Sequence, residues 1–183
     1  MNKADVITFF DRCAPEWDAD MIRNEPVIQT TLDNAGVCAG IDVLDVACGT
    51  GVLIPDYLKR SVRSVTGIDI SPEMIRIAEK KFPQRSVKLI CGDVESAQFD
   101  RQHFPDSKAL IDRLAELVQS GGRLSIAHGM SRAMLTRHHS GSASRVSIEL
   151  PEAEAVAQMM AEAFRVDIVI SDDTMYQVCG VKK

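Results

Sequence analysis

Basic clusters are missing from this sequence. Its 183 residues carry 21 lysines and arginines against 26 aspartates and glutamates, which gives a formal net charge of −5. A protein that binds the phosphate backbone of nucleic acid normally presents a basic stripe or patch. We therefore expect no nucleic-acid partner.

Long apolar runs are missing as well. No stretch approaches the roughly 20 apolar residues of a membrane-spanning helix, and the opening residues, MNKADVITFFDRC, lack the basic and apolar regions of a signal peptide. The five cysteines are scattered singly, without CxxC pairs or the density of a disulfide scaffold. We expect a cytoplasmic protein with reduced cysteines and no membrane partner.

Short β-branched runs alternate along the chain with amphipathic stretches, a pattern typical of βαβ units. The last two runs are joined by Ser171-Asp-Asp-Thr, which indicates a hairpin. The pattern predicts an α/β fold with a doubly wound, mostly parallel sheet and a C-terminal antiparallel hairpin. The predicted strands are residues 43–46, 65–70, 87–90, 123–127, 166–170 and 175–181.

Two helix starts stand out. Ser71 followed by proline predicts a capped helix that ends near Lys81, and Pro151 opens another apolar-striped helix. No repeat or linker divides the chain. We expect a single domain over residues 1–183, with an N-terminal helical lid in 1–35 and a Rossmann-like core in 36–183.

The N-terminal segment carries an apolar face formed by Val6, Phe9, Phe10 and Cys13. Such a face is either ordinary core packing or the inner side of a lid over a ligand pocket. The pattern leaves both interpretations open.

The stretch DVLDVACGTGVLIPDYL, residues 42–58, joins a predicted strand to a helix that starts near Val52 through a turn with two glycines. In open α/β sheets, ligands bind at the carboxyl ends of the strands, and glycines let a backbone approach them closely. A dinucleotide fingerprint requires a small residue three positions after Gly51, where Ile54 stands, and the Gly-Lys-Ser/Thr end of a P-loop is absent. The spacing therefore argues against a phosphate site.

Residues 42–58 resemble the first motif of the class I S-adenosylmethionine-dependent methyltransferases of the small-molecule type. The resemblance continues in GIDISPEM (67–74), CGDV (91–94) and SGGRLSI (120–126), and FDRCAPEW (10–17) resembles the N-terminal lid of that family. It implies a Rossmann-like fold, S-adenosyl-L-methionine as cofactor, and methyl transfer to a small molecule by in-line displacement.

The resemblance also implies roles for individual residues. Asp69, which stands 20 residues after Gly49, matches the carboxylate that accepts hydrogen bonds from a ribose diol. Asp93 would meet the exocyclic amine of adenine, and Asp45 would hold the methionine portion. The cofactor-binding residues implied in this way are Asp45, Ala47, Gly49, Gly51, Asp69, Ile70, Met74, Asp93 and Val94.

One element of the family fold is missing from the pattern. No apolar run of strand length lies between Val94 and the helix that contains Leu110, although the family places a fourth strand there, beside the first. Either further residues belong between about Phe99 and Phe104, or the strand is absent. In the second case we expect a rearranged sheet and impaired catalysis.

All four histidines follow predicted strands or lie in polar segments. If the acceptor must lose a proton, His128 or His103 is the candidate base. No histidine has ligand spacing with a cysteine or an acid, so we predict no metal site. The polar segment from His128 to Arg145 is either a flap over the acceptor or a surface loop.

Two other functions remain open at this point. A non-catalytic protein could use the same cofactor pocket for regulation or assembly, and a truly missing fourth strand would favour it. A nicotinamide oxidoreductase is disfavoured by Ile54. Assembly as a homodimer also stays open.

Overall fold

A computed structural model describes residues 3–94, 107–139 and 150–183. These residues belong to two compact units. The first unit falls within Met1–Ile22 and Val37–Arg101, and the second within Arg23–Gly36 and Gln102–Lys183. The segment predicted as a single lid over residues 1–35 is thus divided between the units. The prediction of a single domain stays a prediction.

Among the described elements, strands and helices alternate from the first strand to the fourth, as predicted. The helices are α1 (Lys3–Cys13), α2 (Trp17–Asp20), α3 (Glu25–Asn34), α4 (Ile54–Lys59), α5 (Pro72–Lys81), α6 (Ser107–Leu117), α7 (Arg132–His139) and α8 (Ala153–Met160), with a 3-10 turn at Ala14–Glu16. The strands are β1 (Asp42–Val46), β2 (Ser64–Asp69), β3 (Val87–Cys91), β4 (Arg123–His128), β5 (Phe164–Ser171) and β6 (Tyr176–Lys182).

The sheet of the first unit is parallel, in the order β1-β2-β3. Its register pairs Asp45 with Gly67 and Asp69 with Cys91. Because parallel strands end at the same edge, this register brings the loops after the three strands together. Val65 in β2 and Ile54 in α4 are fully buried in the core of this unit.

Helix α5 begins where the sequence predicts it. The Ser71 hydroxyl accepts a hydrogen bond from the Met74 N–H at 3.1 Å, and Pro72 occupies the first turn. The cap satisfies one of the backbone donors that every helix start leaves unpaired. Helix α5 therefore has a fixed start directly after the end of β2.

The sheet of the second unit is antiparallel, in the order β4-β6-β5. The predicted hairpin joins β5 to β6, and Asp172 Oδ1 shapes its turn by accepting hydrogen bonds from the Thr174 and Met175 N–H groups. Inside this unit the buried Gln177 amide donates to the Thr31 carbonyl and the Ser125 hydroxyl.

The predicted α/β class is confirmed, but the described strands form two three-stranded sheets instead of one. Among the described strands, β1 pairs with β2 alone and β4 pairs with β6 alone. Within residues 3–94, 107–139 and 150–183 there is no additional strand between β3 and β4. The junction between Phe99 and Phe104 lies outside the described residues.

Two further searches concern the described part of the chain alone. None of its helices has the length and apolar composition needed to cross a membrane. Among the same residues, no three histidine, cysteine or acidic side chains are grouped as a metal site would require.

Gly51 provides a test of the packing under the turn. Its φ is +80°, and a Cβ there would lie 2.7 Å from the Phe82 ring and 2.8 Å from Ile54 Cδ1. Gly40 has a similar φ of +81° with no atom within 4 Å of its Cβ position. We expect Gly40→Ala to lose about 1–2 kcal/mol of unfolding free energy from backbone strain, and Gly51→Ala about 1–3 kcal/mol more from overpacking.

The measurement is urea unfolding followed by the fluorescence of Trp17, the single tryptophan, which lies in the first unit. Equal losses in the two variants would contradict rigid packing of Phe82 and Ile54 against Gly51.

Candidate functional site

The turn after β1 has an unusual backbone. Ala47, Gly49 and Gly51 have φ values of +59°, +54° and +80°, in the left-handed region that favours glycine. An alanine in this region costs about 1–2 kcal/mol. The turn is held by hydrogen bonds from the Cys48 N–H to the Ile68 carbonyl and from the Gly51 N–H to the Cys48 carbonyl.

Asp69 fastens this turn to the next connection. Its Oδ2 accepts from the Gly49 N–H at 2.8 Å, and its Oδ1 accepts from the Ser71 N–H at 2.9 Å. One carboxylate therefore joins the turn after β1 to the start of α5. Because each oxygen has a second lone pair, both can still accept a hydrogen bond from a ligand.

Asp45 lies beneath the turn, near Asp69. Burial raises the pKa of Asp45 to about 6, and the negative charge of Asp69 acts in the same direction, while a hydrogen bond with Tyr57 opposes the rise. The neighbouring Cys48 thiol is buried and its pKa is raised to about 12, first by burial and then by the two carboxylates. Cys48 is therefore a protonated, unreactive thiol at neutral pH.

Asp93 follows the end of β3, so the three predicted acids lie at or after the carboxyl ends of three neighbouring strands. Its Oδ2 forms an ion pair with the Lys3 ammonium at the start of α1. The side chain of Asp93 is 15% exposed and that of Lys3 is 35% exposed. Val94, the next residue, is half-buried in a turn.

Apolar and aromatic groups adjoin the glycine turn. Met74, in the first turn of α5, is buried, and Ile70 is half-buried. A Cβ on Gly49 would lie 3.8 Å from Trp17 Nε1 and 3.9 Å from Met74 Sδ. An indole and a thioether therefore both lie close to Gly49.

The N-terminal segment, residues 3–20, is fastened onto this site by carboxylates. Asp11 Oδ1 accepts from the Ser71 hydroxyl at 2.5 Å and from the Glu73 N–H at 3.2 Å. Asp18 accepts from the buried Thr50 hydroxyl at 2.5 Å. Its other oxygen pairs with the Lys81 ammonium at 2.7 Å.

The ionisation of Asp18 suits this role. Burial alone would raise its pKa, but the hydrogen bonds from Lys81 and Thr50 and the charge of Lys81 outweigh that effect and lower it. Asp18 therefore stays an anion at neutral pH. The segment therefore contacts the glycine turn and α5, and its role as a lid stays a prediction.

Of the two candidate bases, the structure describes His128 and does not describe His103. His128 is exposed at the end of β4 in the second unit, and its Nδ1 accepts from the Met130 N–H at 3.2 Å. In the neutral ring Nε2 then carries the proton, so only Nδ1 could accept one. His103 lies outside the described residues, as does the part of the predicted flap from residue 140 to Arg145.

The sequence did not single out Lys3, Asp11, Asp18, Thr50 or Tyr57. Thr50 and Tyr57 lie in the motif of residues 42–58, and Asp11 lies in the motif of residues 10–17. The resemblance to the family therefore covered these positions without giving them a role. Nothing in the sequence paired Lys3 with a residue 90 positions away.

Residues 43–106, about a third of the chain, match the family model described as a methyltransferase domain. This match covers the glycine turn, Asp69 and Asp93. The predicted resemblance to class I S-adenosylmethionine-dependent methyltransferases is confirmed. S-adenosylmethionine is accordingly the cofactor that the family implies.

Two curated relatives are O-methyltransferases by name. The chain is 27% identical over 157 residues to the malonyl-[acyl-carrier protein] O-methyltransferase of Acetivibrio thermocellus. The aligned region covers 78% of this chain and 56% of the relative. It is 32% identical over 135 residues to the nocamycin O-methyltransferase of Saccharothrix syringae, covering 64% and 48%. The chain thus spans about half the length of these relatives.

A solved structure supports the fold. The N-methyltransferase NodS of Bradyrhizobium japonicum, crystallised with S-adenosyl-L-homocysteine, has a TM-score of 0.70 and 15% identity, with 97% of this chain and 98% of NodS covered. The class I methyltransferase fold is therefore shared. Neither of the two relatives is named as a non-catalytic protein, so the comparisons do not support that alternative.

The raised pKa of Asp45 predicts how the unfolding free energy changes with pH. The pKa of Asp45 in the folded chain is about 6, against an ordinary value of 3.8. The contribution of this carboxyl group to the unfolding free energy is therefore most favourable below pH 4 and is lost as the pH rises through 6. We expect Asp45→Asn to raise the unfolding free energy by about 1–3 kcal/mol at pH 7–8, with no gain at pH 4.

Asp42 on the same strand is the matched control. Hydrogen bonds from Arg63 and Ser64 lower its pKa to about 2, so Asp42→Asn should destabilise at pH 7, with the difference shrinking as the pH falls through 2. Urea unfolding followed by Trp17 fluorescence at several pH values tests both directions. A loss of stability in Asp45→Asn at pH 8 would show that the carboxylate is not penalised by burial.

Proposed function

We propose that the first unit binds S-adenosylmethionine at its glycine turn, and that the chain transfers the methyl group to a small-molecule acceptor. The observation that carries the proposal is the set of three carboxylates, Asp45, Asp69 and Asp93, at the ends of neighbouring parallel strands. Asp69 is bonded to the Gly49 N–H of the turn after β1, in which Ala47, Gly49 and Gly51 have left-handed backbone conformations.

The donor groups of the cofactor suit these acceptors. A ribose diol, an adenine amine and an α-ammonium group are donors, and ionised carboxylates only accept. Asp69 can accept from the diol through its remaining lone pairs while it keeps the Gly49 and Ser71 N–H groups. Asp93 would accept from the adenine amine, and Asp45 from the methionine end, directly or through water.

The other predicted residues would form the walls of the cofactor site. Gly49 and Gly51 admit the backbone close to the methionine portion, Ala47 forms the exposed start of the turn, and Val94 offers a backbone group near adenine. Ile70 and Met74 provide apolar contact to the nucleoside. Each of these residues lies in the first unit.

When bound, the cofactor supplies a methyl group on a positively charged sulfonium. Three acids within one site favour a cation there, and the segment over the turn, with Trp17 against Gly49, helps exclude water. The chain's task is then alignment for in-line displacement. Where the acceptor must lose a proton, His128 Nδ1 could take it once released from Met130, and His103 is the other candidate.

The acceptor class rests on the relatives. Both relatives are named for methylation at oxygen, one on nocamycin and the other on a malonyl group of an acyl-carrier protein. The first acceptors to test are therefore small molecules that carry a hydroxyl or carboxyl group, with formation of S-adenosylhomocysteine as the readout. Failure to methylate any acceptor while the cofactor binds would count against the transferase half of the proposal.

Calorimetry with S-adenosylhomocysteine tests the cofactor half. We expect Asp69→Ala to weaken binding about 10- to 100-fold, since hydrogen bonds to a charged group contribute about 1.5–3 kcal/mol. Asp69→Asn can still accept from one of the two N–H groups and should fall between the wild type and Asp69→Ala. Unchanged affinity in Asp69→Ala would contradict the placement of the ribose.

Asp42→Asn is the control here as well, because Asp42 lies at the opposite end of β1 and bonds to Arg63 and Ser64. It removes one carboxylate from the same sheet and should leave the affinity unchanged. A loss equal to that of Asp69→Ala would show that damage to the sheet, and not the missing ligand contact, causes the effect.

A further inference from the structure

The side chain of Asp45 has a hydrogen-bond partner in the helix that follows the glycine turn. Tyr57, in α4, forms a side-chain hydrogen bond with Asp45. Tyr57 is only 6% exposed, whereas Asp45 is half-buried. Asp45 therefore keeps surface that a ligand can contact, and Tyr57 can influence a ligand only through Asp45.

Helix α4 holds Tyr57 in place. Ile54 and Tyr57 are both buried, and their i, i+3 spacing puts them on one face of this helix. The Tyr57 N–H donates to the Leu53 carbonyl at 3.1 Å, and the Tyr57 carbonyl accepts from the Arg60 N–H at 3.1 Å. The backbone that carries the hydroxyl is therefore hydrogen-bonded in both directions along the chain.

The Tyr57 hydroxyl is the donor in this pair. Burial raises the pKa of Tyr57, and the negative charge of Asp45 raises it further, so the hydroxyl keeps its proton at neutral pH. An ionised carboxylate can only accept. The hydrogen bond therefore favours the ionised form of Asp45, against the opposing effects of burial and of the Asp69 charge.

We propose that Tyr57 is a positioning residue for the cofactor, because its hydroxyl keeps the Asp45 carboxylate ionised and in place for the ammonium group at the methionine end. Tyr57 would not itself touch the cofactor, and its role rests on the function proposed above. A carboxylate has several acceptor positions on its two oxygens. Asp45 can therefore accept from Tyr57 and from an ammonium group at the same time.

The ionisable groups that face this pair come from three elements. They are Asp69 at the end of β2, Cys48 in the glycine turn and Asp56 in α4. Residues 1–22 and 37–101, which contain the first unit, include no histidine, the side chain that ordinarily titrates near pH 6. A midpoint near pH 6 in cofactor binding would therefore report Asp45, whose pKa is about 6.

Calorimetry with S-adenosylhomocysteine from about pH 5 to about pH 8.5 tests the proposal. The affinity of the wild type should fall as the pH drops through about 6, because a protonated Asp45 is a poorer acceptor for the ammonium group. Tyr57→Phe keeps the ring and removes the donor, so we expect the midpoint to rise by about one pH unit. The variant should then bind about fivefold more weakly than the wild type at about pH 6, and about equally well at about pH 8.5.

Two variants are the controls. Tyr176→Phe is the matched one, since Tyr176 is the other tyrosine of the chain and is buried in the second unit. Its hydroxyl has no hydrogen-bond partner among the described residues, so Tyr176→Phe should keep the midpoint of the wild type. Asp45→Asn cannot titrate, so its affinity should be lower than that of the wild type at high pH and should change little with pH.

Urea unfolding gives a second measurement that needs no ligand. Tyr57→Phe should lose more unfolding free energy at pH 8, where Asp45 is ionised, than at pH 5, where this carboxyl group is largely protonated. An equal loss at the two pH values would show that Tyr57 does not stabilise the ionised carboxylate, and would overturn its positioning role.

The binding outcomes separate the two proposals. An unchanged midpoint in Tyr57→Phe, with or without a uniform loss of affinity at every pH, is what a merely structural tyrosine predicts. It would overturn the role of Tyr57 and leave the proposed function standing. No binding of S-adenosylhomocysteine by the wild type at any pH would overturn the proposed function and the role of Tyr57 with it.

Discussion

The carboxylate of Asp69 joins two loops that come from different strands. By accepting from the Gly49 and Ser71 N–H groups, it sets the distance between the glycine turn and the start of α5. Gly49 and Met74 are brought together because those loops are fixed. Hydrogen bonds to a charged acceptor are stronger than neutral ones, which explains how one side chain can hold a turn that contains three left-handed residues.

The site concentrates features that oppose stability. Ala47 is strained, and Asp45 is a half-buried residue whose pKa is raised by desolvation and by a second acid nearby. Strained backbone and shifted pKa values cluster at functional sites because folding alone does not favour them. A cation bound among the acids would relieve part of this cost, which is consistent with a cofactor that carries a sulfonium.

The N-terminal segment is fastened to the glycine turn and to α5 by polar contacts. Asp11 contacts the N-terminus of α5, where the unpaired N–H groups and the helix dipole favour a negative charge. Asp18 bridges the turn and the end of the same helix through Thr50 and Lys81. These polar contacts are specific in position.

The sequence by itself determined the strands, the capped start of α5, the terminal hairpin and the cofactor class, because periodicity, capping residues and closely spaced motifs are local signals. Only the tertiary structure decided that the strands divide into two sheets, that Tyr57 lies against Asp45, and that Lys3 reaches Asp93. Contacts of that kind depend on how distant segments pack. No local pattern of charge or hydrophobicity records which residue a lysine will meet 90 positions along the chain.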